Sequence, residues 1–328
     1  MKKAKVIEID AKKCRQEIEE DGKRTLKFGI SCLDEMFFGI KPSDLIVITA
    51  DSSIGKTEIA SSIACNIAKS GKKVYFFALE SYCREIERRI NFKLAAKEYY
   101  SDPNRHKGML VNFALYENND IDARFKPYAI KGEQECERIY KNNLKIVHRT
   151  SEGYNVDDFV ADFMDLSVQA DVVIVDHIGY FDQPFNMNEY QSLSYAAKKI
   201  NEVVNIHKVP VICISHVNRQ FINSNMIVPD MRHLHGSSNI AKEATKILTI
   251  ATSDTVSDSK HLHPTYMYHA KGRSLGEAKK YVVELDYDSR SNEYGKYYHI
   301  CKIDRSKENK TYLHGEEIPS WAKSAIGK

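Results

Sequence analysis

Short apolar runs alternate with stretches of helical periodicity through the first two thirds of the chain. Each run is too short for a helix, so it predicts a buried strand. The predicted strands are 45–50, 74–79, 144–148, 172–176 and 209–215. The segments between them, such as 58–68 and 193–204, place apolar residues on one helical face. Alternating strands and helices predict an α/β fold with a mainly parallel sheet and helices on both sides.

The pattern changes after residue 247, where β-rich segments are separated by turn-rich polar stretches such as DYDSRSNEYG. That spacing predicts C-terminal β-hairpins that extend the sheet. The β-rich segments are 247–251, 266–270, 281–286 and 297–303. The predicted domain boundaries are an N-terminal arm or linker at 1–27, a main domain at 28–305 and a tail at 306–328. A polar insertion occupies about 95–143 of the main domain.

The composition is typical of a soluble globular protein and argues against several other classes. The 328 residues are 42% hydrophobic and 28% charged, as in a soluble globular protein, and no apolar run approaches the length of a bilayer. The start, MKKAKVIEID, lacks the apolar core of a signal peptide, so we expect a cytoplasmic location in a bacterium or a virus-infected host cell, without a membrane partner. The seven cysteines form no Cys-x-x-Cys pair, which argues against a zinc module. A net charge of +3 gives no general argument for nucleic acid.

A phosphate-binding loop follows the first strand, in the stretch LIVITADSSIGKT at 45–57. The loop ends in Gly-Lys-Thr and leads into a helix, whose unpaired N–H groups and dipole favour an anion. We therefore expect Lys56 to reach the terminal phosphates of ATP and the Thr57 hydroxyl to hold Mg²⁺. Ala50 replaces the usual first glycine, and the alternative is an ordinary strand-to-helix turn. The predicted nucleotide contacts are Ser52, Ser53, Ile54, Gly55, Lys56, Thr57 and Glu58.

Three further polar residues lie at the carboxyl ends of later predicted strands. A nucleotide hydrolase of this architecture has its catalytic groups at these positions. Asp176 ends VVIVD and could hold Mg²⁺ through water, although a turn aspartate is the structural alternative. Glu80 follows VYFFAL, where a base that orients the attacking water would be required. His216 follows VICIS, where a polar group could contact the γ-phosphate and relay its loss.

A pair of cations, Lys271 and Arg273, stands in HAKGRSLGEAK at the end of a late strand. Their spacing beside flexible glycines suits insertion into the phosphate site of a neighbouring subunit. The structural alternative is a solvated basic loop.

The order of these motifs resembles the RecA-like helicase domain of DnaB-type replicative helicases and phage primase-helicases, superfamily 4. The resemblance covers about 28–300 and rests on the segments DLIVITADSSIGKT, FFALESYCREIERRI, VIVDHIGYF, VICISHVNR and AKGRSLG. It implies a RecA-like sheet, with Glu80 as the catalytic carboxylate and Asp176 as the Mg²⁺-linked one. It also implies His216 as γ-phosphate sensor, Arg273 as the finger supplied to the adjacent subunit and Lys271 as its companion.

The segment LHGSSNIAKEATKILTI is similar to the DNA-binding loop and following helix of this family. Single-stranded DNA is therefore expected against 218–239, although His235 stands where an arginine is usual. The predicted DNA-binding residues are Arg219, Arg232, His233, His235 and Gly236.

Three functional hypotheses follow. The first is an ATP-dependent, ring-forming helicase that translocates on single-stranded DNA in replication; the resemblance implies a homo-hexamer, 5′ to 3′ polarity and primase or other replication proteins as partners. The second is a nucleotide-switched DNA-binding or recombination ATPase that does not unwind, favoured by His235 and the near-neutral charge. The third is a regulatory protein that binds nucleotide without hydrolysis; Lys56, Thr57, Glu80 and Asp176 together argue against it. The helical N-terminal domain and the primase region of such enzymes are not expected in this sequence.

Overall fold

The computed structural model describes residues 10–51, 54–148, 153–218, 227–234, 237–252, 261–272, 281–304 and 309–327. Its centre is one sheet, and six of the strands run parallel, in the spatial order β3-β2-β4-β5-β1-β6. These strands are β1 (Leu45–Ala50), β2 (Val74–Ala78), β3 (Leu144–His148), β4 (Val172–Asp176), β5 (Val211–His216) and β6 (Lys246–Thr252). This confirms the predicted α/β fold with a mainly parallel sheet.

The sheet continues beyond β6 with antiparallel strands in the order β7-β8-β10-β11, while the short β9 pairs with β8. The extension consists of β7 (Leu262–Gly272), β8 (Val282–Asp288), β9 (Glu293–Tyr294), β10 (His299–Asp304) and β11 (Asn309–Tyr312). The predicted extension by C-terminal hairpins is therefore confirmed.

Helices cover both faces of the sheet. On one face lie α2 (Ser31–Phe37), α3 (Lys56–Lys69), α4 (Cys83–Ser101) and α6 (Lys126–Asn142). On the other face lie α7 (Val156–Leu166), α8 (Glu189–His207) and α9 (Ser237–Glu243). Alternate residues of β1 enter the two cores, Ile46 and Ile48 on the first face and Leu45 and Val47 on the second. Burial on both faces explains why the parallel strands are continuous apolar runs rather than alternating ones.

The polar segment at about 95–143 connects β2 to β3 and is largely helical. Its predicted start falls inside α4, which continues without a break to Ser101; α5 (Phe113–Glu117) and α6 follow. Aromatic residues including Phe92, Tyr99 and Phe125 form a small separate core beneath it. Helix α6 lies close against α4, because a Cβ added at Gly132 would be 2.8 Å from Ala95.

The ends of the chain differ in how they pack. Residues of α1 (Ala11–Arg24) are exposed, apart from the half-buried Asp21. In contrast, Leu313 and Ala322 are buried in the main core, and the Ser324 hydroxyl donates a hydrogen bond of 2.6 Å to Glu35. The described part of the predicted tail therefore packs on the same body as the sheet. Within the described ranges, no helix has the length and apolar character needed to cross a membrane.

Candidate nucleotide site

The loop between β1 and α3 ends in a glycine directly before the helix. Gly55 has φ of 94°, a left-handed conformation that glycine adopts without strain, and α3 begins at the next residue. Ile54 is half-buried and packs against the core. Ser52 and Ser53 lie outside the described residues, so their predicted nucleotide contacts stay predictions.

The side chain of Lys56, the first residue of α3, reaches back to the end of β1. Its ammonium donates hydrogen bonds to the carbonyl oxygens of Ala50 at 3.2 Å and Asp51 at 2.8 Å, and the residue is only 7% exposed. Burial lowers the pKa of Lys56, while the negative charges of Glu80, Asp51 and Asp176 oppose that change. A buried cation held by two carbonyl oxygens is an electrostatic site that an anion can complete.

Asp176 ends β4 and is fully buried. Neither carboxylate oxygen has a hydrogen-bond partner of regular geometry among the described residues. Burial raises the pKa of Asp176 to about 6; the Thr57 hydroxyl lies close enough to oppose the rise, and the Glu80 charge adds to it. An unsatisfied buried carboxylate beside a hydroxyl is a donor set that suits Mg²⁺, because this ion prefers oxygen ligands and retains water. The residues present therefore fit the predicted metal.

Glu80 is exposed and lies at the same end of the sheet. The backbone N–H groups of Leu79 and Glu80 both donate to the Asp176 carbonyl oxygen, at 2.7 and 3.1 Å. This pairing fixes the residues after β2 beside the end of β4. The two carboxylates and Lys56 interact electrostatically, which brings together three of the residues that the sequence predicted.

His216 ends β5 and is aligned with Ala50, the last residue of β1, across the parallel pair. Its ring lies 4.2 Å from the ring of His177, centroid to centroid. The N–H of Gly179 donates to Nδ1 of His177 at 2.9 Å, and Tyr180 makes an edge contact with the same ring. The predicted sensor is therefore part of an aromatic cluster at the carboxyl ends of β4 and β5.

His177 and Tyr180 are not among the site residues that the sequence predicts. Both closely follow Asp176, and burial together with the charges of Glu80 and Asp176 raises the pKa of Tyr180, which places its hydroxyl near the two acids. Their position just after a strand-ending aspartate was the available signal, and it was too general to identify them.

Glu58 occupies a different environment from the other predicted nucleotide contacts. Its side chain is buried and accepts hydrogen bonds of 3.2 Å from Arg89 on α4 and from Asn292 before β9. Burial raises the pKa of Glu58, and the charges of Arg89 and Lys93 oppose that rise. The Lys93 ammonium also donates to the Asn292 carbonyl oxygen at 2.9 Å. Only the backbone of Glu58 remains available for a nucleotide contact.

Lys271 lies near the end of β7, and its ammonium is directed at its own subunit. It donates to the carbonyl oxygens of Ala241, Lys242 and Ala244, at the C-terminal end of α9. Arg273, the predicted finger, lies outside the described residues.

The predicted DNA-binding segment is described only in part, since Arg219, His235 and Gly236 fall outside the described residues. Arg232 has an exposed guanidinium paired with Asp230 at 2.9 Å. His233 is buried against the same carboxylate, 3.0 Å away, and its Nδ1 accepts the Asp230 N–H. The structure therefore places Arg232 at the surface and His233 beneath it.

A parallel sheet whose phosphate loop follows β1, extended by antiparallel strands, defines the RecA-like class of α/β folds. The chain belongs to the family described as DnaB-like helicase C terminal domain, whose family model matches residues 25–295. Membership implies nucleotide-dependent activity.

Relatives among curated proteins agree with this assignment. The replicative DNA helicase DnaB of Treponema pallidum (strain Nichols) is 25% identical over 225 residues, which cover 67% of this chain and 46% of that protein. A probable plasmid replicative DNA helicase of Chlamydia muridarum is 23% identical over 234 residues, covering 70% of this chain and 48% of its own length. The chain thus spans about half the length of the curated relatives it matches.

Solved structures show the same fold. A structure titled "The Structure Of A DnaB-Like Replicative Helicase And Its Interactions With Primase" superposes with a TM-score of 0.70 at 18% identity, covering 88% of this chain and 67% of that one. A second structure, described as an ATPase domain, gives a TM-score of 0.61 at 18% identity, covering 92% of this chain and 96% of that one. A KaiC-like protein of Pyrococcus horikoshii OT3 superposes with a TM-score of 0.52 at 15% identity, covering 81% of this chain and 96% of that one.

Proposed function

We propose that this chain is the motor domain of an ATP-dependent, ring-forming DNA helicase that couples ATP hydrolysis to translocation on single-stranded DNA in replication. The observation that carries the proposal is the meeting of Lys56, Glu80 and Asp176 at one end of the sheet, where the buried Asp176 carboxylate has no regular hydrogen-bond partner among the described residues. Family membership supports the same activity.

The chemistry assigns one task to each residue. Lys56 and the backbone of the loop bind the phosphates, and Thr57 and Asp176 hold Mg²⁺, which neutralises phosphate charge when bound. Glu80 is exposed beside this site, where it can orient a water molecule and accept its proton. His216 contacts the γ-phosphate and transmits its loss to the residues that follow β5. Arg273 completes the site of the adjacent subunit and stabilises charge in the transition state.

Single-stranded DNA lies against 218–239 in this proposal. Contacts there are mainly to phosphate, so affinity falls as salt rises and depends little on sequence. The relevant form is a cytoplasmic homo-hexamer, with primase or another replication protein as partner. The related structure whose title includes primase supports the choice of partner class.

A second function, a DNA-binding or recombination ATPase that assembles without unwinding, is favoured by one observation. Arg232 pairs with Asp230 and His233 is buried, which reduces the positive charge that the described part of the DNA segment presents to a phosphate chain.

Strand displacement on forked DNA, measured with ATP hydrolysis and oligomer mass, separates the two functions. The helicase proposal predicts ATP-dependent displacement by a hexamer and none by Lys56→Ala, which controls for contaminating activity. DNA-stimulated hydrolysis without displacement would favour the second function. Hydrolysis by Lys56→Ala at the wild-type rate would remove the site assignment itself.

A further inference from the structure

His177 is buried just after β4, and the turn that follows it holds its ring in place. The residue is 4% exposed, and its Nδ1 accepts the Gly179 N–H at 2.9 Å. The turn, Ile178–Tyr180, is a short 3₁₀ helix, and the His177 side chain is its N-terminal cap. The Tyr180 ring adds an edge contact at 5.8 Å, centroid to centroid. The imidazole of His177 therefore has little freedom to rotate.

Gly179 lies directly against this ring. A Cβ added at Gly179 would be 2.8 Å from Cε1 and 3.0 Å from Nδ1 of His177, which is closer than a side-chain carbon normally approaches. The turn can therefore close on the imidazole only because residue 179 has no side chain.

The ring of His177 packs against His216, the proposed γ-phosphate sensor. β4 and β5 are adjacent parallel strands that pair as far as Val175 and Cys213, so the residues that follow them meet at one edge of the sheet. The two rings lie 4.2 Å apart, centroid to centroid, with their planes tilted by 43°, so they are in direct contact. The fixed ring of His177 therefore excludes the conformations of the His216 side chain that would overlap with it.

We propose that His177 is a positioning residue that holds the His216 side chain in the conformation that contacts the γ-phosphate. This inference rests on the proposed function, in which His216 is the sensor, and adds the group that orients it. A side chain that is already in place loses less conformational entropy when the phosphate binds, so ATP gains affinity relative to ADP. His177 acts through His216 and does not itself touch the nucleotide.

Two substitutions separate the ring of His177 from its capping role. His177→Asn removes the ring and keeps a cap acceptor, because asparagine is a favoured N-terminal cap. His177→Phe keeps an aromatic ring and removes the acceptor. The matched control is His299→Asn, since His299 on β10 makes the same kind of edge contact with a tyrosine, Tyr312, at 5.8 Å.

The measurement is the affinity of each protein for a non-hydrolysable ATP analogue divided by its affinity for ADP, both with Mg²⁺. This ratio should fall ~10- to 100-fold in His177→Asn, as for other residues that orient a ligand-binding side chain. It should stay near the wild-type value in His177→Phe and His299→Asn. Gly179→Ala should also lower the ratio, because its methyl group would displace the ring. The affinity for ADP alone should change little in all four variants.

A double-mutant cycle shows whether His177 acts through the sensor. His216→Ala should lower the same ratio, and His177→Asn added to it should lower the ratio no further, because the side chain that His177 positions is gone.

Four results would overturn the proposal. The first is a wild-type ratio in His177→Asn, and the second is losses that add in the double variant. The third is an equal loss in His177→Phe and His177→Asn, which would show that the ring contact is not what matters. The fourth is a parallel loss of ATP and ADP affinity with a lower melting temperature, which would make the contact structural only.

Chemical modification of His216 keeps this test separate from the proposed function. If the wild-type protein binds the ATP analogue and ADP equally, His216 is not a sensor and that part of the proposed function fails. The contact with His177 is still measurable without nucleotide, as the rate at which diethyl pyrocarbonate modifies His216, read by mass spectrometry. A faster rate in His177→Asn than in the wild type and His177→Phe would support the positioning of His216. Equal rates in all three proteins would overturn it.

Discussion

Individual side chains at the carboxyl ends of β2 and β4 differ in their surroundings, and this difference separates their roles. Glu80 is exposed, whereas Asp176 is fully buried without a regular hydrogen-bond partner among the described residues. An exposed carboxylate can exchange protons with water, and a buried one is better suited to a cation. The two acids are therefore expected to respond differently when each is replaced by its amide.

Glu80→Gln should keep ATP bound and lose hydrolysis, because the change removes the base but leaves the phosphate cradle intact. The expected loss in kcat is ~10² to 10⁴-fold, the usual contribution of a general base. Nucleotide binding measured by calorimetry, with Lys56→Ala as the variant that fails to bind, would check this. Equal loss of ATP affinity in both variants would count against a catalytic role for Glu80.

Asp176 should make magnesium affinity depend on pH. Burial raises the pKa of Asp176 to about 6 in the fold, so its carboxylate is protonated as pH falls through that value and Mg²⁺ is released. The stability of the metal-free protein should change in the opposite direction with pH. Because the pKa of Asp176 is higher in the fold than in the unfolded chain, this residue adds to the free energy of unfolding at acidic pH, and the contribution is lost as pH rises through about 6.

The measurement is the Mg²⁺ concentration for half-maximal ATPase activity across this pH range. It should rise steeply at acidic pH in the wild type. Asp176→Asn should need ~10- to 100-fold more Mg²⁺ at neutral pH and lose the acidic rise. A wild-type profile in Asp176→Asn would exclude the metal role.

Elements are held around the site by buried charges from distant parts of the chain. Glu58 on α3 is paired with Arg89 on α4, and Asn292 before β9 joins them. The pair connects the helix after the phosphate loop to the helix that follows Glu80. Loss of the Glu58–Arg89 ion pair should therefore weaken the packing of α3 against α4.

Arg89→Met should destabilise the fold by about 3 to 5 kcal/mol, because it leaves the Glu58 carboxylate buried and without its main cation. Glu58→Gln combined with Arg89→Met should recover part of that loss, since the uncompensated charge is removed. Denaturant unfolding of the two single variants and the double variant measures the coupling. Additive losses would show that the two side chains do not act as a pair.

The elements show which features a sequence can predict. The parallel strands were predicted within two residues, because strands buried on both faces are apolar throughout and leave a clear signal. The predicted start of the insertion lies inside α4, because the exposed face of that helix is as polar as a loop and the sequence gives no signal for the end of the helix. The partners of Glu58 and Lys271 could not be predicted, because Asn292 and Ala241 reach them only through the folding of the sheet. Arg89 was likewise overlooked among many charged residues of α4.

The whole molecule is a motor domain only if its subunits share ATP sites. Lys56 begins α3, directly after the loop that follows β1, whereas Arg273 follows β7 in the sequence, and β7 is separated from β1 by β6. A guanidinium supplied from the adjacent subunit would be worth ~10³ to 10⁵ in rate. Arg273→Ala should therefore bind ATP nearly normally, assemble and hydrolyse poorly.

Mixing Arg273→Ala with Lys56→Ala tests the shared site and the motor function together. Each variant alone should be inactive in ATP hydrolysis and in displacement of forked DNA. In mixed rings an intact Lys56 of one subunit meets an intact Arg273 of the next, so both activities should return, with a maximum near equal amounts. Mixed rings that form but recover no activity at any ratio, together with failure of Arg273→Ala to bind ATP, would contradict a site shared between subunits.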